Sequence, residues 1–246
     1  MSIHNHQYIP THRLQKDVYK YLGVDLHAYT SPATVAHLLA AAYQPVPNAS
    51  GDKVLAFLLP VLLSSFQTNT FLDESLAVLL RFLYAWSTNP ITLNRHLSPD
   101  VSVPLSGILA TVASVHPSPL TRHQTFRALS LLLASSEPRL RFQHLAELTG
   151  QSEFPQMRIA SVGLVKEHFL KAFNAANLMK DDPFFSPLFW RTFGPILFRP
   201  NPPDLFGANL ELNDLRDNPE PARLSECLSL YFLILCRDEK NSVHIP

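Results

Sequence analysis

The sequence has little glycine, almost no cysteine and no surplus of either charge. Seven glycines in 246 residues argue against phosphate-cradling loops and against a turn-rich β protein, because both need backbone conformations that glycine supplies. The two cysteines, Cys227 and Cys236, fall on one predicted helix. Nine steps of about 100° put them on opposite faces, so they cannot bridge each other within it. Such usage fits a cytosolic or nuclear protein. Basic and acidic residues each number 20, for a formal net charge of zero. That balance excludes the electrostatic footprint of a nucleic-acid partner and any polybasic membrane patch. The longest apolar run, Val54 to Phe66, covers about 13 residues and is too short to span a bilayer. The N-terminus, MSIHNHQYIP, has neither an apolar signal core nor the Arg-rich character of a transit peptide. These absences predict a soluble chain of the cytoplasm, with the nucleus as a second compartment.

Reactive constellations are missing as well. Eleven histidines are scattered; His4 and His6 lie two apart near the N-terminus, a weak chelate, and no HExxH or Cys–His set occurs. No GxSxG turn presents a nucleophile, and Ser225 and Ser229 sit on an amphipathic helix. Asp181 and Asp182 precede Pro183 and read as a helix-end signal. Arg237 stands beside Cys236, but a buried, inert thiol is the simpler reading of either cysteine. The expectation is no enzyme activity, no metal and no cofactor.

What the chain does have is proline, 21 residues, and 46% apolar content. Prolines that punctuate apolar runs suit many short helices with abrupt ends. Residues 119–173 show the pattern best, as three helices separated by short breaks. The first runs from near Thr121 to before Glu137 and is apolar nearly all round, so neighbours should bury more than one face. The second follows Ser135-Ser136-Glu137-Pro138, with a Ser N-cap and proline in the first turn, and closes at Gly150, a residue suited to positive φ. The third carries Pro155 in its first turn. On its wheel Ile159, Val162, Gly163, Phe169, Leu170 and Phe173 form an apolar arc, opposite a wet face of Ser161, Glu167, His168 and Lys171.

Two cations, Arg158 and Lys166, interrupt that arc. Snorkelling or pairing with a neighbouring helix is the simpler account; the sharper one makes them the edge of a partner-binding groove.

Elsewhere, helices are predicted over 11–22, from Ser31-Pro32 to Ala42, over 53–68 with a kink or split at Pro60, and over 73–87. Others cover 89–97, 103–115 and 187–198, the last broken at Gly194-Pro195, and the helix of Phe173 runs on to about Met179. A final helix from Ala222 to about Asp238 carries a stripe of Leu224, Cys227, Leu228, Tyr231 and Leu235. Residues 1–10 are expected to be a flexible N-terminus. Residues 11–246 then form a single helical-repeat domain with an irregular, Pro-rich acidic loop at 200–221. No strand is needed. The fold class is all-α, an irregular HEAT/armadillo-like α-solenoid, with a globular helical bundle as the alternative.

Two segments resemble a known family. FPQMRIASVGLVKEHFLKAF is similar to a helix of the family that unites glomulin, the plant aberrant-lateral-root-formation protein and fungal stress-factor-binding, kinetochore-associated proteins. CLSLYFLILCRDEKNSVHI is similar to its later helix and Arg/Lys-Asp-x-x-Asn tail, here Arg237, Asp238 and Asn241. SLLLASSEPRLRFQHLAELTGQSEFP fits the lead-in to the first motif.

The resemblance implies a HEAT-like scaffold without enzyme activity. In the glomulin branch it implies binding to the RING-box subunit of cullin-RING ubiquitin ligases, covering the surface that recruits the ubiquitin-conjugating enzyme. In the fungal branch it implies binding to a redox-responsive bZIP factor under oxidative stress. The resemblance also implies longer full-length members, with the last motif of this chain falling just before its end. The candidate partner-binding residues are Arg158, Lys166, Arg237 and Asp238. The competing hypothesis is a ligand carrier or small enzyme that uses the aromatic run Phe184–Phe198 as a pocket wall.

Overall fold

The structure, a computed structural model, describes residues 38–42, 51–88, 95–174, 182–201 and 218–238, together with Pro203, Leu205, Gly207, Arg216, Asn241 and Val243. Among these residues every regular element is a helix. Residues 38–42 are helical. After them come α1 (Gly51–Thr68), α2 (Leu72–Thr88), α3 (Pro99–Val115), α4 (Pro119–Ser135), α5 (Pro138–Gly150) and α6 (Pro155–Asn174). A single 3-10 turn (Pro183–Phe185) precedes α7 (Pro187–Phe198), and α8 (Glu220–Arg237) closes the described chain. The all-α expectation holds, with most helices packed on near neighbours.

Proline sets this punctuation. Among the described residues, five of the numbered helices, α3 to α7, begin on a proline, where its fixed φ suits the helix and its missing N–H would lack an intrahelical partner anyway. The helix starts therefore fall close to where the sequence placed them.

The prolines inside helices behave otherwise than expected. Helix α1 runs unbroken through Pro60, and α7 runs unbroken through Pro195. Both prolines are exposed, as are Ala56 and Arg191 four residues before them. The carbonyls that lose their helical partners therefore lie on the water side, where hydration replaces the bond and the helix need not split.

Three local expectations are also corrected. Helix α5 is N-capped by Glu137 without a side-chain cap bond, not by serine. Gly150 is the last helical residue and Gln151 caps the end in a right-handed conformation; glycine is useful there because a Cβ would meet Ile196 Cγ2 at 3.2 Å. Residues 95–98 are not helical. The predicted helices over 11–22 and from 31 to 37, the flexible N-terminus 1–10, residues 89–94 and 175–181, and most of the acidic loop lie outside the described residues.

Backbone contacts divide the chain into two compact units, 1–112 with 123–135, and 113–122 with 136–246. In the first, α1 and α2 form a hairpin whose turn holds Asn69 and Phe71 at positive φ. Hydroxyls pin that turn: Ser75 donates to Ser65 at 2.7 Å, and Ser65 donates onward to the Thr70 carbonyl. Leu55, Leu58, Leu62, Leu76, Leu79 and Leu83 are buried around it. Arg81 donates to the carbonyls of Ala41 and Ala42 at 3.3 and 2.8 Å, tying residues 38–42 to α2.

In the second unit, α6 packs against α5 and α8, and the 3-10 turn and α7 close the aromatic side. Phe169 meets Phe189 of α7 at 5.3 Å between centroids, and Phe173 meets Phe185 of the 3-10 turn at 5.4 Å. Arg223, near the start of α8, bonds carbonyls at the end of α7.

Candidate functional site

The four candidate residues lie on α6 (Arg158, Lys166) and at the end of α8 (Arg237, with Asp238 as its C-cap), and of them Lys166 is the one seen to bridge the two helices. Lys166 is half-buried, and its Nζ donates to Ser229 Oγ on α8 at 3.2 Å. That bond crosses between the two helices near their middles. Arg158, two turns earlier on α6, is also half-buried, and its Nε is buried without a hydrogen-bond partner. Arg237 is exposed in the last turn of α8.

Asp238 differs from the other three. It is buried, its N–H donates to the Ile234 carbonyl at 2.8 Å, and its Oδ2 accepts from the Val243 N–H at 2.9 Å. Its carbonyl accepts from Asn241, whose φ of 51° turns the chain. The carboxylate that the family tail singles out is thus spent on closing the helix end.

Two readings of side-chain orientation need correction. On α6, Ser161 and His168 are buried instead of wet, and Gly163 is exposed. A wheel presumes one neighbour, whereas α6 is flanked by α5, α8 and the 3-10 turn, which leaves Gly163, Glu167 and Lys171 as a narrow exposed strip. Ser161 is satisfied within its own helix by the Arg158 carbonyl at 2.9 Å.

On α8 the buried stripe is Arg223, Cys227, Leu230 and Ile234, while Leu228 and Leu235 face solvent. The helix has apolar residues enough for two stripes, and a buried ion pair decides between them. Glu220, expected in the acidic loop, is instead the first residue of α8 and is buried. Arg223 Nε donates to both of its oxygens at 2.9 Å. The same guanidinium reaches Ile196 O at 3.1 Å, Leu197 O at 3.3 Å and Arg199 O at 2.8 Å. Those are carbonyls left over at the end of α7. Satisfying them needs Arg223 inward, and that rotation carries Leu228, Phe232 and Leu235 outward.

Behind this face lies the aromatic cluster. Phe184, Phe189 and Phe193 are fully buried, and Phe142 meets the edges of Phe184 and Phe193 at 5.1 Å. Phe189 and Phe193 also stand 5.1 Å apart. The rings fill one another's space, which is a core and not a pocket wall. Trp190 belongs to a separate group with Phe198 and Tyr231, at 5.6 Å from each.

Asp182 is a structural residue. Its Oδ1 accepts from Phe184 N–H at 2.9 Å, capping the 3-10 turn as a helix signal should. Its other oxygen lies 3.6 Å from Arg141 Nη2. Burial pushes the Arg141 guanidinium below its ordinary value, and Asp182 opposes that shift.

Beside them, His168 packs its ring 5.8 Å from Phe184, and neither ring nitrogen has a partner. Burial, reinforced by the charges of Arg141 and Lys171, lowers its pKa to about 3, so the imidazole is neutral. Cys227 is buried, and burial raises its thiol to about 11; Cys236 is exposed. No sequence motif announced the Glu220–Arg223 pair, although the i,i+3 spacing of opposite charges at a helix start was there to be read.

The described residues therefore make an all-helical framework whose buried ionic groups mostly join one helix to another. A family model described as an uncharacterised protein family, YAP/Alf4/glomulin, matches residues 30–242. The chain belongs to that family, and the membership supports a helical protein-interaction scaffold. No curated protein and no solved structure matches the chain. No helix among the described residues is long and apolar enough to cross a membrane.

Proposed function

We propose that the chain is a non-enzymatic scaffold of the cytoplasm and nucleus that acts by occupying another protein's docking site. Membership of the YAP/Alf4/glomulin family over residues 30–242 carries this reading. The partner it favours is the RING-box subunit of a cullin-RING ubiquitin ligase, held so that the ubiquitin-conjugating enzyme is kept off. Mechanistically this asks only for a rigid surface with a few anchoring side chains. Buried Arg223, which bonds carbonyls at the end of α7, and the Arg141–Asp182 pair, which ties α5 to the 3-10 turn, fit that demand.

The direct test adds the purified chain to a reconstituted neddylated cullin–RING-box ligase and follows ubiquitin-chain formation. The expected result is dose-dependent inhibition that excess ubiquitin-conjugating enzyme relieves. Undiminished ubiquitylation at saturating chain, with no RING-box complex captured on the immobilised protein, would defeat this reading. The family's other branch offers a redox-responsive bZIP factor, and capture of such a factor in place of the ligase would move the assignment there.

A further inference from the structure

The tip of the α1–α2 hairpin carries a sequence pattern that neither the fold nor the scaffold uses. Thr70 is followed by Asp73 three residues on and by Glu74 four residues on. No other serine or threonine of the chain has a carboxylate three residues after it. Thr-x-x-Asp ahead of an apolar run is also a helix-capping pattern, but Thr70 does not cap. Helix α2 begins at Leu72, which puts the cap position on Phe71. The Thr70 hydroxyl bonds the Thr68 hydroxyl at 2.6 Å and no N–H of the first turn.

We propose that Thr70 is a phosphorylation site for an acid-directed protein kinase, which leaves a phosphothreonine at the hairpin tip. In the transfer Oγ1 forms a bond to the γ-phosphorus of ATP, and the bond from that phosphorus to the β–γ bridging oxygen breaks. ADP leaves, and the hydroxyl proton passes to the kinase's base. The inference goes beyond the scaffold reading and does not depend on it.

The hydroxyl is accessible. Thr68, Asn69, Thr70 and Phe71 are all exposed, and residues 69–71 lie between the two helices. Asp73 is exposed in the first turn of α2, where N–H groups lack intrahelical partners and a helix frays. A kinase binds its substrate as an extended strand. Drawing Thr70 into one breaks the bond from Ser65 Oγ to the Thr70 carbonyl and that from Ser75 N–H to the Phe71 carbonyl at 2.9 Å. It also releases Phe71 from a φ of 52°, which is strained for a bulky side chain, so the strain offsets part of the cost.

Charge selects the kinase class. Residues 54–80 hold no lysine, arginine or histidine, and neither Asp73 nor Glu74 enters an ion pair among the described residues. Both carboxylates are therefore open to a basic substrate groove, and a kinase that reads upstream arginines finds none here. The phosphate adds a charge of about −1.5 to −2 at pH 7 beside two carboxylates, so the modified tip becomes a strongly acidic patch.

The test incubates the full chain with a purified acid-directed casein kinase and radiolabelled ATP, and locates the phosphate by tandem mass spectrometry. The expected result is incorporation on Thr70, lost in Thr70→Ala and retained in Thr70→Ser. Asp73→Asn with Glu74→Gln should lower kcat/KM at least tenfold. Both side chains lie outside the core, so circular dichroism should show that variant folded. A synthetic peptide of residues 62–78 serves as the fully accessible reference, and the native chain should come within tenfold of its kcat/KM.

The proposal fails if the native chain takes up no phosphate, if incorporation survives Thr70→Ala, or if the amide variant is modified as fast as the parent. It also fails if the peptide is modified more than a hundredfold faster than the chain, because the fold then conceals the hydroxyl. None of these outcomes involves a ligase or a bZIP factor, so the scaffold reading stands or falls separately on its own assay.

Discussion

Acidification from pH 7 to pH 5 should weaken the second unit through one side chain, His168. In the folded chain burial lowers its pKa to about 3; in the unfolded chain it returns to about 6.5. Between those values the unfolded state binds a proton that the folded state does not, so stability is complete above about pH 6.5 and falls as pH drops. The slope is about 1.4 kcal/mol per pH unit, or about 2 kcal/mol lost at pH 5.

That is a sizeable share of the 5–15 kcal/mol typical of a domain. The measurement is urea unfolding of Trp86→Phe protein, in which Trp190 becomes the only tryptophan and reports the unit that contains it. His168→Leu fills the same space without a titratable group. At pH 7 it should be neutral or stabilising, because it removes two buried nitrogens that have no partner. At pH 5 it should exceed the parent by about 2 kcal/mol more than at pH 7. A difference between the two proteins that stays constant from pH 7 to pH 5 would refute the assignment of His168 as a buried, neutral imidazole.

Breaking the Glu220–Arg223 pair from one side, as Arg223→Met, should cost about 3–5 kcal/mol because it strands a buried carboxylate. Replacing both, as Glu220→Leu with Arg223→Met, should recover much of that loss in the same urea assay. Gly163→Ala should stabilise by about 0.5–1 kcal/mol, since its Cβ points into open space within a helix. Gly194→Val should instead destabilise by about 1–3 kcal/mol and shift Trp190 emission, because the Trp190 ring lies 3.3 Å from the Cβ position. With Ellman's reagent, Cys236 should react in the native protein and Cys227 only on unfolding, its thiol being buried and raised to about 11.

Helix content and most helix starts were legible because proline and the apolar period are local signals. Pro138 and Pro155 mark the first residues of α5 and α6 whatever surrounds them. The fate of the internal prolines was less legible. Whether Pro60 splits α1 depends on whether Ala56 faces water, and that is settled by packing.

Side-chain direction failed for the same reason at both ends of the candidate face. The wheel for α6 puts Ser161 and His168 outside, yet contacts on several sides bury them. The stripe expected on α8 included Leu228 and Leu235, both of which face water. Hydrophobicity alone makes the two stripes of α8 nearly equivalent. Arg223 separates them, through carbonyls on α7 that are 24 to 27 residues away in the chain. A polar requirement at the end of one helix thus fixes which apolar side chains of another remain exposed. Removing that requirement makes a connected prediction: in the Glu220→Leu/Arg223→Met protein α8 is free to rotate, so the alkylation rate of Cys236, which is exposed in the parent, should change. If Cys236 reacts in that protein at the rate of the parent, the Arg223 bonds to α7 do not set the rotation of α8.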